Sequence, residues 1–177
     1  MPKILTLLRH AKAETGGSSQ EDKARDLTGR GVRATEYIGR YMAEKGLYPD
    51  QVLCSSALRT TETLLKVERA LNRPLPVTYM NALYLASAGE MLNVIADVPA
   101  EVGHLMVVGH NPGVHELAMK LAKAGSESLI DTMAIKFPTC AIATFACHAP
   151  DWATLATART ELVDFVSPKM LGQEITG

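Results

Sequence analysis

The 177 residues are 47% hydrophobic and 21% charged, with a net charge of −1. That length suits a single domain of residues 1–177 with a sizeable core. The near-neutral charge excludes a global attraction to nucleic acid or to an anionic membrane, so an anionic ligand must be drawn by a local cluster of Arg and His.

Residues 4–8 form a short apolar run that reads as a strand buried on both faces. Arg9 interrupts the run, which is too short for a signal-peptide core or a membrane span. Residues 11–26 are polar, with Gly16, Gly17, Ser18 and Ser19, and read as a mobile loop. Thr28 is a fitting N-cap for a helix that repeats Ala34, Tyr37, Ile38, Tyr41 and Met42 and ends at Gly46. A second strand spans residues 51–54. Ser55 or Ser56 then caps a helix carrying Leu58, Thr61, Leu64, Leu65 and Leu71, which Pro74 and Pro76 stop. A third strand covers residues 77–79. Ser87 and Glu90 have capping-box spacing and open a helix to about residue 97. A fourth strand covers residues 104–108, and Pro112 sits in the first turn of a helix to about residue 123.

This alternation predicts an α/β fold: a three-layer α/β/α sandwich around a mainly parallel central sheet. Residues 139–147 and 154–165 are strand-like around a turn at His148-Ala149-Pro150-Asp151. They predict a C-terminal hairpin at the sheet edge. Cys54, Cys140 and Cys147 are odd in number and lack CxxC spacing, which fits a reducing, cytoplasmic compartment.

In open α/β sheets, ligands bind beyond the carboxyl ends of the strands. The first predicted strand ends in Arg9-His10, the second in Cys54-Ser55-Ser56 with Arg59 one turn later, and the fourth in Gly109-His110-Asn111. Two His and two Arg thus converge from three strand ends. A neutral imidazole can attack phosphorus and carry the phosphoryl group covalently. Arg forks match phosphate oxygens, and helix N-termini add backbone donors. Alone, each of these residues is more often a core, capping or salt-bridged side chain. The joint placement carries the argument, and the set needs neither metal nor cofactor.

These residues resemble a known family. Leu8-Arg9-His10-Ala11 is similar to the signature of the histidine phosphatase (phosphoglycerate mutase-like) superfamily. Arg25-Asp26-Leu27-Thr28-Gly29-Arg30-Gly31 resembles its second segment, and Ser55-Ser56-Ala57-Leu58-Arg59-Thr60-Thr61-Glu62-Thr63 its S-x-x-x-R-x-x-x-T segment. Val107-Val108-Gly109-His110-Asn111-Pro112 resembles the segment bearing its second His. The four occur in family order. The resemblance implies a phosphoglycerate mutase-like fold, His10 as the nucleophile, and Arg9, Arg59 and His110 around the phosphate. Arg25, which matches a position near the site in the short branch of the family, Ser55 and Asn111 are further candidates for binding substrate; the structural reading of Arg25 is a loop salt bridge with Asp22 or Glu21.

Compact length resembles the short SixA branch, the protein phosphohistidine phosphatases. Larger members carry a general-acid Glu where this chain has Leu85. Glu90 is nearby, but its capping role explains it without catalysis. A phosphoramidate expels an imidazole that is easily protonated, so a missing acid is consistent with a phosphohistidine substrate.

Two other signals fail. Cys54 and Arg59 are one residue too close for a cysteine-phosphatase loop, and Cys54 reads as a buried strand residue. His115-Glu116 begins like a zincin helix, but Met119 stands where the second His is required. The expectation is therefore a metal-independent phosphohydrolase whose partner is phosphohistidine in a protein. Two alternatives remain: a phosphatase for a small phosphorylated molecule, and a catalytically weak phosphate-binding module. Oligomeric state has no signature in the sequence.

Overall fold

The β-α alternation seen in the sequence builds one seven-stranded sheet with strand order β3-β2-β4-β1-β6-β7-β5. The computed structural model of the chain describes residues 1–17 and 19–173; Ser18 of the polar loop lies outside them. The strands are β1 (Lys3–Arg9), β2 (Gln51–Ser55), β3 (Val77–Met80), β4 (His104–Gly109), β5 (Ala124–Gly125), β6 (Ile142–His148) and β7 (Arg159–Val166). From β3 to β1 all pairings are parallel. β6 then runs antiparallel to β1, and β7 antiparallel to β6. The C-terminal hairpin therefore extends the parallel sheet on the β1 side, with the two-residue β5 alongside β7.

The helices are α1 (Ser19–Lys23), α2 (Gly29–Glu44), α3 (Leu58–Leu71), α4 (Ala88–Ala96), α5 (Gly113–Leu121) and α6 (Glu127–Ile135). Side chains alternate across a strand, so each strand feeds two cores. Leu5 and Leu7 of β1, Leu105 and Val107 of β4 and Leu53 of β2 pack with Met91 and Ile95 of α4, Val114 and Leu117 of α5 and Met133 of α6. Leu8, Met106, Val108, Val52 and Cys54 face the other way, onto Ala34, Ile38 and Met42 of α2 and Leu64 and Val67 of α3. The result is the three-layer sandwich. Among the described residues, no helix is long and apolar enough to cross a membrane.

Most expected boundaries hold to within a few residues. Thr28 caps α2, its side chain accepting from Gly31 N at 3.0 Å. Gly31 sits so close to the chain after β1 that a Cβ there would lie 2.2 Å from Lys12 O, which ties the start of α2 to the end of β1. Ser87 caps α4, accepting from Glu90 N.

Four details differ. Neither Ser55 nor Ser56 caps α3: the N-cap is Ala57, without a side-chain bond, because both hydroxyls are engaged elsewhere. The polar loop contains α1 and a bridge from Ala13 to Leu27. The hairpin connection is longer than a tight turn. It holds Trp152–Thr154 as a 3-10 turn, with Trp152 buried and its Nε1 donating to Val102 O at 3.0 Å. Finally, α6 and β5 fill a stretch for which the sequence predicts no element.

Candidate active site

Parallel register brings three strand ends level. Arg9 pairs with Gly109 across β1 and β4, and Cys54 with Val108 across β2 and β4. His10, Ser55 and His110 therefore emerge side by side. The two imidazole rings stand 5.4 Å apart, tilted by 54°, and Tyr84 meets His110 edge-on at 5.6 Å.

His10 is 8% exposed, and its Nδ1 lies 2.7 Å from Ala11 O. A carbonyl only accepts, so Nδ1 carries the proton and Nε2 keeps its lone pair. Burial pushes the His10 pKa down to about 4; the bond to Ala11 O opposes this, and the positive charges of Arg9, Arg59 and Arg25 reinforce it. The ring is neutral at neutral pH. Ala11 N donates to Thr63 Oγ1 at 2.9 Å, and that hydroxyl donates to Arg59 O at 2.6 Å, which joins the His10 segment to α3.

His110 is buried, with Nε2 2.7 Å from Ser55 Oγ. Burial pushes its pKa down to about 3, helped by His10 and Arg59. The Ser55 hydroxyl can donate or accept; when it donates to Nε2, the ring's proton sits on Nδ1. That atom is buried and has no partner.

The arginines share one pattern. Arg59 donates from Nη1 to Asp22 O at 2.7 Å and from Nη2 to Asp22 Oδ2 at 3.1 Å, while its Nε is buried and unpartnered. Arg25 donates from Nη1 to Glu14 O at 2.8 Å and pairs through Nη2 with Asp22 Oδ1 at 2.9 Å, again leaving Nε unpartnered. Arg9 donates from Nη1 to Phe137 O at 2.9 Å, and its Nε is likewise buried and unpartnered. In Arg25 and Arg59 the end-on edge of the guanidinium is held by protein, and the side-on Nε edge is left over for another acceptor. Burial also lowers the Arg9 pKa.

Asp22 is the hub of this arrangement. It accepts from Tyr84 Oη and holds both Arg59 and Arg25. The Tyr84 hydroxyl chiefly, then the two arginines, keep its carboxyl below the ordinary range against a burial effect of opposite sign. Arg25 is thus both the Asp22 salt bridge that the sequence allowed and a charge felt at His10. The Asp22–Arg59 and Asp22–Tyr84 contacts span 37 and 62 residues, and no local sequence pattern announces them.

The remaining candidates are placed as follows. Asn111 donates from Nδ2 to Phe137 O at 3.0 Å and accepts from His115 N at 3.3 Å, so its amide ties the start of α5 to the loop after α6. Glu90 is exposed at its cap, where Ser87 Oγ donates to Oε1 at 3.2 Å. Leu85 is exposed, with a left-handed φ of 50°. Burial pushes the Cys54 thiol up to about 12, which keeps it protonated. Among the described residues, no three His, Cys, Asp or Glu side chains gather into a metal cage.

No family model matches the chain. An uncharacterized protein of Mycobacterium tuberculosis is 33% identical over 165 residues, covering 92% of this chain and all of the relative. A protein named for the phosphohistidine phosphatase SixA of Nakamurella multipartitia superposes with a TM-score of 0.81 at 31% identity, covering 95% of this chain and 97% of the other. One so named from Agrobacterium tumefaciens gives 0.79 at 30% identity, covering 95% and 99%.

Proposed function

From the premise that the chain belongs to the histidine phosphatase (phosphoglycerate mutase-like) superfamily, in its SixA branch, we propose that it is a phosphatase that removes a phosphoryl group from phosphohistidine in a protein, through a covalent intermediate on His10. One observation carries this reading. Buried side-chain polar atoms almost always find partners, yet Arg9 Nε, Arg25 Nε, Arg59 Nε and His110 Nδ1 have none, and among the described residues these four are the whole set. The three Arg atoms are N–H donors, and His110 Nδ1 is a fourth in the tautomer whose Nε2 accepts from Ser55; all lie on side chains that gather around His10. Such a set matches the oxygens of a phosphoryl group.

The reaction follows from the tautomers. His10 Nε2 offers its lone pair to phosphorus, a P–N bond forms, and the bond from phosphorus to the departing nitrogen breaks. That imidazole takes a proton from water or from its own protein. Water then attacks the phosphoryl group, the P–Nε2 bond breaks, and phosphate leaves with His10 neutral again. The four unspent donors neutralise charge on the equatorial oxygens during both steps. Ser55 positions His110 by donating to Nε2, and Asp22 positions Arg59 and Arg25.

The carboxylate at the site, Asp22, is ionised and committed to three partners, so it has no proton to give to a poor leaving group. With Leu85 where larger relatives have Glu, substrates with good leaving groups are favoured.

The test is kcat/KM over a panel of a phosphohistidine protein, an aryl phosphate and glycerol phosphate, with acid-labile, base-stable phosphoenzyme trapped on His10. The phosphohistidine protein and the aryl ester should exceed glycerol phosphate by about a hundredfold or more, the usual contribution of a positioned acid. Comparable rates on glycerol or sugar phosphates would replace this reading with a small-metabolite phosphatase.

A further inference from the structure

Beside the site, on the far side of Arg9, lies a groove of about 540 Å³ whose charge is out of proportion to the chain as a whole. Arg9, Lys12, Arg30, Lys136 and Lys169 line it, and among the described residues no other charged or aromatic side chain does. The chain has 18 Lys and Arg against 19 Asp and Glu, so a patch of this size would ordinarily mix the signs. Among the described residues, none of the five cations forms an ion pair.

They also come from separate segments. Lys12 follows β1, Arg30 stands in the first turn of α2, Lys136 follows α6 and Lys169 follows β7. The fold itself assembles the cluster, and like charges held this close repel one another unless an anion lies between them.

The character of the groove selects its occupant. Small-molecule sites are mostly apolar with a few convergent polar groups, whereas Lys12, Lys136 and Lys169 are exposed, flexible ammonium groups. With no aromatic among the described lining residues, these side chains offer a nucleotide base nothing to stack on. Several separated point charges suit a run of carboxylates held along a polypeptide. Arg9 belongs both to this groove and to the set of unpartnered donors around His10, so a ligand held here is anchored next to the reacting histidine.

We propose that this groove is a docking surface for an acidic segment of the protein substrate, in which Asp and Glu side chains near the phosphohistidine engage Lys12, Arg30, Lys136 and Lys169. That the docked partner is a phosphorylated protein rests on the phosphohistidine reading; that the groove takes clustered carboxylates stands on its own lining.

The experiment uses the full chain, its double variant Lys136→Glu/Lys169→Glu and, as a control, Lys120→Glu in the last turn of α5, an exposed lysine outside the groove lining. The probe is a labelled oligoglutamate peptide, with inorganic triphosphate as competitor. The peptide should bind the parent protein, weaken with added salt, and lose about tenfold or more in the double variant but not in the control. Aryl phosphate turnover should stay within about twofold in all three, which also reports that the variants fold. KM for an acidic phosphohistidine protein should rise in the double variant with kcat unchanged.

The proposal is overturned if the peptide fails to bind the parent protein or binds the double variant equally well. It is also overturned if triphosphate binds more tightly than the peptide and with the same dependence on Lys136 and Lys169, which would make the groove a small-polyanion site. Peptide binding as expected, with no turnover of any phosphohistidine protein, would sustain the acidic docking surface and overturn the substrate assigned above.

Discussion

The two ends of the β1–β4 pair carry the same residue type in opposite states. At the amino end of β4, His104 is half-buried, with a pKa pushed down by desolvation to about 4. Its Nε2 is 2.8 Å from Thr6 Oγ1, its backbone N–H donates to Asp50 Oδ2 at 2.8 Å, and none of its buried polar atoms lacks a partner. At the carboxyl end, His10 is displaced as far, to about 4, but it sits among donors with nothing to bond. Desolvation and a depressed pKa are therefore common to a structural histidine and to the candidate nucleophile. What separates them is unspent hydrogen-bonding capacity nearby.

The comparison breaks if the two histidines prove interchangeable. His10→Ala should lower kcat/KM by several orders of magnitude, about a thousandfold at least, and abolish the trapped phosphoenzyme. His104→Gln should leave kcat/KM within about threefold while costing about 1–2 kcal/mol of stability in denaturant unfolding. Equal losses of activity would sink the distinction.

The next largest effect sharpens the donor argument. Arg59→Lys keeps the charge but has no second edge, so its ammonium must choose between Asp22 and the phosphoryl oxygens. A fall in kcat/KM of about a hundredfold to a thousandfold is expected, mostly in kcat, as for loss of one preorganised donor. Turnover within a few-fold of the parent would mean that the unpartnered Nε is idle.

A third prediction treats the two ends together. His10, His104 and His110 all have folded-state pKa values below the ordinary 6.5, at about 4, 4 and 3. Between those values and 6.5 the unfolded chain binds more protons than the folded one, so stability is lost as pH falls through that window. Each histidine contributes at most about 1.4 kcal/mol per pH unit. Unfolding free energies measured from pH 7 to 4 should show this slope, and His104→Gln should remove about one proton from it. Over the same range kcat/KM of the free enzyme should hold to about pH 5 and fall as His10 is protonated, without response to chelators. An optimum that collapses already near pH 6.5 would place an unshifted histidine in the rate. The smallest effect is Glu90→Gln, expected to cost a few tenths of a kcal/mol of stability and nothing in rate. A selective loss on alkyl phosphates would instead make Glu90 the acid.

Much of the candidate site is legible because parallel strands flanked by helices announce their carboxyl ends. Arg9, His10, Ser55, Arg59 and His110 all follow from short buried runs and the helix signals after them. Nonlocal bonds were not legible. Ser55 looked like a helix cap because a serine after a strand has that local geometry open to it, and its hydroxyl is instead taken by His110, 55 residues away. Asp22 looked like a loop partner for Arg25, and its hold on Arg59 depends on how α1 folds over α3. The helix α6 has no clear signal in the sequence, since it buries only Met133 and so lacks a strong apolar stripe. β6 begins later than its apolar pattern suggests because Cys140 adopts a left-handed φ of 61°, out of line for a strand.

That same Cys140 gives the loop after α6 a second importance. Its N–H donates to both Arg9 O and His10 O at 3.0 Å, Arg9 N donates to Ala141 O at 3.2 Å, and Phe137 O receives Arg9 Nη1. Lys136, Pro138 and Thr139 of this loop form a wall of the cationic groove. One strip of backbone is thus a party wall between two binding places. Thermodynamic linkage then runs both ways through it: whatever factor an acidic ligand in the groove imposes on phosphoryl affinity at His10, phosphoryl binding imposes on the acidic ligand in return. On the proposed reading, a substrate that fills both places would meet a site its own far end has helped to set, and after phosphate departs the remaining protein would be held by the groove alone.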